Sequence, residues 1–306
     1  MSNKQLQPYI GRFAPSPTGP VHFGTLIAAV GSYLQAKKNN GDWIIRMEDV
    51  DTTRTVAGAD REILNTLEAF GFEWDNEIIY QSQQTALYQS ALEQLLSQSI
   101  LFPCVCSRKQ LAETNSDIYP GTCRNRQLAE DKLVEENEHA LRLLARDVTI
   151  EFSDIVMGKQ SQNIAQQCGD FVIKRRDGLF AYQLAVVVDD ALQGITEIVR
   201  GSDLLDSTPR QIYLQQLLNY PTPGYCHLPL AIDKHGNKIS KSENATRVEI
   251  KDRERLICKV LMFLGQQPPI DLSDSSIEDI WSWAVKHWNI SQVPAKTHIR
   301  PALSQK

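Results

Sequence analysis

Two short stretches of the sequence carry residue types that can handle a nucleoside triphosphate. The first is RFAPSPTGPVHFGT, which runs from Arg12 to Thr25. A short apolar segment precedes a loop rich in proline and glycine, and a helical pattern begins at about Thr25. His22 and several backbone N–H groups are therefore expected at a helix N-terminus, where the dipole and the unpaired amides favour phosphate oxygens. Because Gly24 has no side chain, a flat ring such as adenine could approach the backbone there.

The second stretch is KISKS, from Lys238 to Ser242. It places two lysines three residues apart among hydroxyl side chains, in a polar loop. Lys238 and Lys241 can form a mobile cationic clamp that stabilises the charge developing on a leaving pyrophosphate. Together the two stretches predict chemistry at the phosphates of ATP.

Three of the six cysteines, Cys104, Cys106 and Cys123, lie close together in a stretch rich in proline, glycine and polar residues. In a cytoplasmic protein such a cluster is more typical of a metal site than of disulfides. Three thiolates are one ligand short of a closed tetrahedral zinc site. We interpret the other three cysteines as packing residues.

The elements that must position these residues alternate between strand and helix over the first hundred residues. Apolar spacing predicts strands at 9–13 and 43–47, and helices at about 25–40, 59–70 and 84–98. This alternation predicts an α/β protein with a parallel sheet.

The rest of the chain is less regular. Residues 102–170 break the rhythm, and we interpret them as an insertion between two halves of the sheet. The segments FVIKRR and LFAYQLAVVVDD flank Asp177 and Gly178, a pair typical of a hairpin turn. A helix is predicted from Thr208, with Pro209 at a favoured first position. A last buried strand is predicted at 225–232, and the 64 residues after 242 look helical.

The composition limits the class of protein. The 306 residues include 32 basic and 37 acidic side chains, for a formal net charge of −5. This disfavours a protein that coats nucleic acid with a broadly basic surface, but it allows a local basic patch. The sequence has no secretory signal and no apolar run of about 18 residues, so we expect a cytoplasmic protein with no membrane partner.

The two phosphate-handling stretches resemble the HIGH and KMSKS signatures of class I aminoacyl-tRNA synthetases, specifically of the glutamyl branch. The resemblance covers about residues 9–242 and includes IIRMEDVDTTR (44–54), GDFVIKRRDGLFAYQLAVVVDD (169–190) and GITEIVRGSDLLDSTPRQ (194–211). Phe23 and Thr25 depart from the literal HIGH letters, but the histidine and glycine are kept. The resemblance implies a class I Rossmann-like fold.

By position, the resemblance also implies how glutamate is held. The residues that match the amino-acid pocket of glutamyl enzymes are Arg12, Ser16, Glu48, Tyr182 and Arg200. The two arginines, helped by the tyrosine hydroxyl, can pair with carboxylate, and Glu48 can take the ammonium group. A neutral glutamine amide would leave buried cations unpaired, which suggests how glutamine is refused.

The same resemblance implies the ATP site and the reaction. His22, Gly24, Thr25 and Lys241 match ATP-binding positions, and His22, Lys238 and Lys241 are the expected catalytic residues. Glutamate and ATP would give glutamyl-adenylate and pyrophosphate, followed by acyl transfer to a tRNA hydroxyl. Catalysis would consist mostly of positioning and electrostatic stabilisation. Mg²⁺ is expected with ATP, although the sequence identifies no protein ligand for it.

Two features favour the truncated relatives of these enzymes, the glutamyl-Q tRNA(Asp) synthetases. The 64 residues after 242 are too few for the anticodon-binding region of a full glutamyl-tRNA synthetase. The resemblance to a C-x-C…Y-x3-C pattern implies one structural zinc ion held by Cys104, Cys106, Tyr119 and Cys123. His139 is a possible substitute for the tyrosine, but we expect it to be solvent-exposed. In that family, glutamate is attached to the queuosine base in the anticodon loop of tRNA(Asp).

The predicted organisation has four parts. They are the first half of a Rossmann-like catalytic domain (1–101), an inserted, acceptor-stem-like zinc-binding subdomain (102–170), the second half with the KISKS loop (171–242) and a helical C-terminal region (243–306). We expect a monomer whose partners are glutamate, ATP and tRNA(Asp) carrying queuosine. The basic run 174–176 is either a tRNA contact or a solvated strand end.

Three other functions remain open at this point. An ordinary glutamyl-tRNA synthetase could lack its anticodon-binding domain or obtain it from a partner, and charging assays with different tRNAs would reveal this. A non-catalytic, synthetase-like binding protein would not need the intact histidine, glycine and lysines of the two signatures. A nucleotidyltransferase of related fold would share the phosphate motifs but would not need the glutamate-binding set.

Overall fold

The structure is a computed structural model that describes residues 8–114, 116, 118–126, 139–233, 236, 239 and 247–301. Lys238 and Lys241 of the KISKS stretch lie outside the described residues. No helix within the described ranges is both long and apolar enough to cross a membrane.

The bounds of the elements are as follows. The strands are β1 (Ile10–Phe13), β2 (Asp42–Met47), β3 (Ile79–Tyr80), β4 (Leu101–Cys104), β5 (Ala140–Leu143), β6 (Thr149–Asp154), β7 (Gly158–Asn163), β8 (Phe171–Lys174), β9 (Glu197–Gly201), β10 (Gly224–Leu228), β11 (Leu230–Ala231) and β12 (His298–Ile299). The α-helices are α1 (Phe23–Lys38), α2 (Ala59–Ala69), α3 (Thr85–Ser97), α4 (Arg108–Ala112), α5 (Tyr182–Leu192), α6 (Thr208–Leu218), α7 (Arg253–Phe263) and α8 (Ile277–His287).

Parallel strands form the centre of the molecule, as the strand–helix alternation predicts. Strand β1 pairs with β2 and β2 with β3, while β10 pairs with β9 on one side and β6 on the other, all in parallel. The two groups meet where the Thr196 N–H donates to the Ile10 carbonyl, at 2.9 Å, beside β1 and β9. In such α/β sheets, ligands bind beyond the carboxyl ends of the strands, where the strand order reverses. The residues at the carboxyl ends of β1, β2 and β9 therefore lie where a ligand is expected to bind.

The predicted helical tail belongs to the main core. Trp281 on α8 donates from its indole N–H to the Phe70 carbonyl at 2.9 Å, and Trp288 donates to the Gln35 side chain at 2.8 Å. Both indoles are buried. The residues after 247 thus pack on α1 and α2, and they stabilise the helix that begins at the HIGH-like stretch.

The predicted hairpin around Asp177 and Gly178 is half right. The turn is present, since the Arg175 N–H donates to the Leu179 carbonyl at 2.8 Å. The expectation that a strand follows is wrong, because residues 182–192 form helix α5. Its residues from 184 to 190 are all buried, and a continuous apolar run fits a buried helix as well as a buried strand.

The predicted final strand, 225–232, also needs correction. It is divided into β10 and β11 at Pro229, whose ring nitrogen has no N–H for a strand ladder. It is not the last strand, because the two-residue strand β12 pairs in parallel with β11.

The predicted insertion contributes to two sheets. Strands β4, β5 and β8 form an antiparallel sheet, which spans both predicted borders of the 102–170 segment. The β6–β7 hairpin joins the central strands through β6. The segment therefore places Cys104 in the antiparallel sheet and Asp154 in the sheet that contains the central strands β9 and β10.

Candidate active site

Two cavities meet at the loop that follows β1, and Ser16 lines both of them. The larger has a volume of about 750 Å³, with Glu48 and Tyr182 in its wall. The smaller has a volume of about 470 Å³, with His22 and Gly24 in its wall. The predicted glutamate-binding and ATP-binding residues therefore lie on two sides of one loop.

The structure brings four of the five predicted glutamate-binding residues together around Tyr182. Burial raises the pKa of the Tyr182 hydroxyl, Glu48 raises it further, and Arg200 and Arg12 lower it. Glu48 and Tyr182 face the larger cavity, whereas Arg12 and Arg200 are deeper, only 3% and 5% exposed. A ligand in this cavity would therefore face a carboxylate and a hydroxyl, with the charges of two buried guanidinium groups behind them. Ser16, the fifth, lies in the same wall.

A buried ion network that the sequence interpretation missed supports this group. Arg46 is fully buried, and its Nη2 lies 2.8 Å from Asp190 Oδ1 and 3.5 Å from Glu48 Oε1. The same Asp190 oxygen accepts from Arg12 Nε at 3.1 Å. Asp189, 3.7 Å from Arg46 Nε, completes the network. A signal existed, because a charged residue inside a buried run such as DWIIRM or LAVVVDD needs a charged partner.

The Glu48 carboxyl, which lies beside this network, has a raised pKa. Burial raises the pKa of the Glu48 carboxyl to about 7, although the nearby Arg46 and Arg12 charges oppose the rise. A carboxyl in this range readily exchanges its proton for a cationic partner. An ammonium group in the cavity would favour its ionised form.

One nitrogen of the Arg200 guanidinium is buried and can donate a hydrogen bond to a new partner. Its Nε donates to His227 Nε2 at 3.0 Å and its Nη2 to Thr208 Oγ1 at 2.8 Å. Its Nη1 is buried and has no hydrogen-bond partner among the described residues. Leaving such a donor unpaired is costly, so a ligand carboxylate that reached it would be held firmly.

The ATP-side residues surround the start of α1. His22 is the N-cap of this helix, and its Nδ1 accepts from the Thr25 N–H at 3.2 Å. The first turn of α1 contains no acidic residue that would compete for the helix N-terminus. A Cβ on Gly24 would lie at van der Waals contact with the His22 ring, 3.4 Å away, so glycine leaves the space beside this ring open. His22, Gly24 and Thr25 all line the smaller cavity.

The predicted metal-binding residues form a tight cluster. The sulfur atoms of Cys104, Cys106 and Cys123 all lie within 4.8 Å of one another, and those of Cys106 and Cys123 are 3.6 Å apart. The Tyr119 hydroxyl is 3.5 Å from Cys104 Sγ and 3.6 Å from Cys106 Sγ. Around a tetrahedral zinc ion with bonds of about 2.3 Å to sulfur and 2.0–2.2 Å to oxygen, ligand atoms would be about 3.5–3.8 Å apart. The cluster can therefore hold a zinc ion.

His139, the alternative to Tyr119 as a zinc ligand, is not part of this cluster. His139 is only 5% exposed, so the expectation that it is solvated is wrong. It directly precedes β5, the middle strand of the β4–β5–β8 sheet, and is buried there instead of lying on a charged helix surface. It does not belong to the cluster of metal-binding side chains found among the described residues.

The basic run 174–176 contributes two residues to the wall of the larger cavity. Arg175 and Arg176 line it, together with Arg54 and Arg142. Arg175 is tied to Asp51, with 2.7 Å between Nη1 and Oδ2. The wall of the cavity thus carries guanidinium groups as well as carboxylates.

Comparison with known proteins gives a consistent result. The family model described as "tRNA synthetases class I (E and Q), catalytic domain" matches residues 10–264. A glutamyl-Q tRNA(Asp) synthetase of Aromatoleum aromaticum is 50% identical over 299 residues, which cover 96% of this chain and 93% of that protein. The protein of the same name from Dechloromonas aromatica is 48% identical over 294 residues, which cover 95% and 98% of the two chains.

Solved structures agree on the fold. The glutamate-tRNA synthetase of Elizabethkingia anophelis superposes with a TM-score of 0.79 and 27% identity, over 96% of this chain and 68% of that chain. The glutamate tRNA ligase of Elizabethkingia meningosepticum, solved in complex with its amino acid, gives a TM-score of 0.78 at the same identity and coverage.

Proposed function

This chain belongs to the glutamyl-Q tRNA(Asp) synthetases, a family of class I tRNA synthetases, and we propose on that basis that it activates glutamate with ATP and transfers it to the queuosine base of tRNA(Asp). The high identity over nearly the whole of both chains favours this acceptor over the 3′ end of tRNA(Glu). The ordinary glutamyl-tRNA synthetase reaction is therefore the second candidate.

The structural observation that supports the proposed activation step is that Ser16 lines both cavities. Glutamate enters the larger cavity, with its ammonium group at Glu48 and its side-chain carboxylate at Arg200 and Tyr182. ATP enters the smaller cavity, with its phosphates at the N-terminus of α1. The glutamate α-carboxylate and the ATP α-phosphate then meet beside Ser16, so positioning supplies much of the rate enhancement.

The first chemical step needs no general base, because its nucleophile is a carboxylate oxygen. An oxygen of the glutamate α-carboxylate attacks the α-phosphorus, the bond to the bridging oxygen breaks, and pyrophosphate leaves. A tRNA hydroxyl then attacks the carbonyl carbon, AMP leaves, and the hydroxyl proton is released. Lys238 and Lys241 neutralise the departing pyrophosphate. Mg²⁺ bound with ATP supplies further neutralisation of phosphate charge.

The cysteine cluster fits a structural role. We assign Cys104, Cys106, Tyr119 and Cys123 to one zinc ion, because the three sulfur atoms lie within 4.8 Å of one another and three of the donor-atom separations, at 3.5–3.6 Å, match those around tetrahedral zinc. Four protein ligands would close the site to substrate. The zinc would hold the 102–170 subdomain against the larger cavity, between the catalytic halves 1–101 and 171–242. We assign the arginines in the wall of that cavity to contacts with the tRNA nucleotide.

The test is glutamate-dependent exchange of labelled pyrophosphate into ATP by the purified chain. We expect exchange with glutamate and none with glutamine, because a neutral amide cannot compensate the buried charge of Arg200. Exchange driven by another amino acid, or none with glutamate, would contradict the proposal.

A further inference from the structure

Three ionisable side chains form a line across three adjacent parallel strands. Asp154 ends β6, His227 lies on β10 and Arg200 on β9, and β10 is the middle strand. His227 and Arg200 are direct partners in the β9–β10 register. All three are buried, at 4%, 0% and 5% exposure. None of the sequence motifs includes Asp154 or His227.

The hydrogen bonds along this line have a fixed direction. Arg200 Nε can only donate, so His227 Nε2, 3.0 Å away, must accept. The ring proton of neutral His227 is therefore on Nδ1, which lies 2.6 Å from Asp154 Oδ2. Asp154 is held in turn, because its Oδ1 accepts from the N–H groups of Val156, Met157 and His227 at 3.0, 2.8 and 3.2 Å.

This line determines which nitrogens of the Arg200 guanidinium already have hydrogen-bond partners. Nε is occupied by His227 and Nη2 by Thr208, at 2.8 Å. The buried Nη1 is left without a hydrogen-bond partner among the described residues. A guanidinium with two of its nitrogens fixed loses little freedom when the third binds a carboxylate.

We propose that Asp154 and His227 are positioning residues that fix the histidine tautomer and thereby hold Arg200 with Nη1 presented to the glutamate side chain. This inference rests on the proposed function, because it assigns Arg200 to the glutamate carboxylate. Asp154 acts only through His227, and neither residue touches the substrate.

Two substitutions at His227 separate the two halves of the line. His227→Gln puts a carbonyl oxygen near the position of Nε2, so Arg200 keeps its acceptor. His227→Asn puts an amide near the position of Nδ1, so it keeps the contact with Asp154 but removes the acceptor from Arg200. Asp154→Asn removes the charge that holds the Nδ1 proton and favours a ring that donates from Nε2 toward Arg200.

The experiment measures KM for glutamate and for ATP in the pyrophosphate-exchange assay, with Cys226→Ala as the control. Cys226 is the fully buried neighbour of His227 on β10, so this variant reports general damage to the strand. We expect His227→Asn and Asp154→Asn to raise KM for glutamate about tenfold or more, as for a lost hydrogen bond to a charged group. His227→Gln and Cys226→Ala should stay within about threefold of the unaltered chain, and KM for ATP should not change.

The outcomes are distinct. Equal KM values for glutamate in the two His227 variants, or equal rises for both substrates, would show a merely structural role and overturn the inference. Glutamate-dependent exchange in the unaltered chain with no effect of Asp154→Asn would also overturn it while leaving the proposed function intact. Absence of glutamate-dependent exchange in the unaltered chain would overturn both.

Discussion

The Nη2 atom of Arg46 lies 2.8 Å from Asp190 Oδ1, with the two side chains only 0% and 4% exposed. The same carboxylate oxygen holds Arg12, so one aspartate orients a structural arginine and a predicted substrate-binding arginine. Burial of two arginines is tolerated because their charges are compensated at short range. The network ties β1, β2 and α5 together directly beneath the larger cavity.

Replacement of Asp190 by Asn should therefore be strongly destabilising. Removing one partner leaves buried positive charge uncompensated, and we expect a loss of about 3–5 kcal/mol in the free energy of unfolding. Denaturant titration monitored by tryptophan fluorescence measures it. Glu62→Gln is the matched control, because the Glu62–Arg247 pair is 33% and 52% exposed and should contribute less than about 1 kcal/mol. Similar losses in both variants would contradict the assigned role of the network.

Glu48 should lower the stability of the ligand-free protein at neutral pH. Its pKa is raised from 4.5 to about 7 in the folded chain, so the folded state retains a proton that the unfolded state releases. The unfolding free energy should fall between about pH 4.5 and pH 7 from this group. Glu48→Gln should therefore be more stable than the unaltered chain at pH 8, by about 1–3 kcal/mol, with a smaller difference at pH 5. A less stable Glu48→Gln variant at pH 8 would show that the ionised carboxylate supports the fold.

The same carboxyl should make glutamate binding pH-dependent. Only ionised Glu48 can pair with the ammonium group of glutamate, and a group with a pKa near 7 is mostly ionised at pH 8 and mostly protonated at pH 6. We expect KM for glutamate to be about tenfold higher at pH 6 than at pH 8. KM for ATP, measured in the same assays, is the internal control. Equal shifts in both constants would assign the effect to another group.

The cysteine cluster predicts one zinc ion per chain, measurable by elemental analysis. Cys106→Ser should abolish zinc retention and lower the melting temperature. Tyr119→Phe should retain zinc with weaker affinity, since three thiolates remain. Cys168→Ser, outside the cluster, is the control and should retain zinc as the unaltered chain does. Unchanged zinc affinity in Tyr119→Phe would exclude the tyrosine as a ligand.

The parts of the site that could be predicted are those encoded in continuous stretches. The string around His22 combines a strand end, a turn and a helix start, so local rules alone place the histidine at the N-cap of α1. The spacing of the cysteines similarly predicts a cluster, and the clustering of their sulfur atoms is observed.

The parts that could not be predicted depend on contacts between distant residues. Asp154 and His227 are 73 positions apart and become neighbours only because β6 pairs with β10. The burial of Arg46 likewise depends on the acidic end of α5, which the sequence interpretation placed in a strand. With α5 taken as a strand, neither Asp189 nor Asp190 could be assigned to the pocket.

The most direct test of the central claim is to incubate the protein with ATP, labelled glutamate and tRNA(Asp), with and without queuosine, and to measure the label transferred to the tRNA. We predict label in the tRNA only when queuosine is present, and its retention under conditions that remove 3′-terminal esters without altering the base. Label at the 3′ end of unmodified tRNA(Glu) would instead identify an ordinary glutamyl-tRNA synthetase and contradict the proposed function.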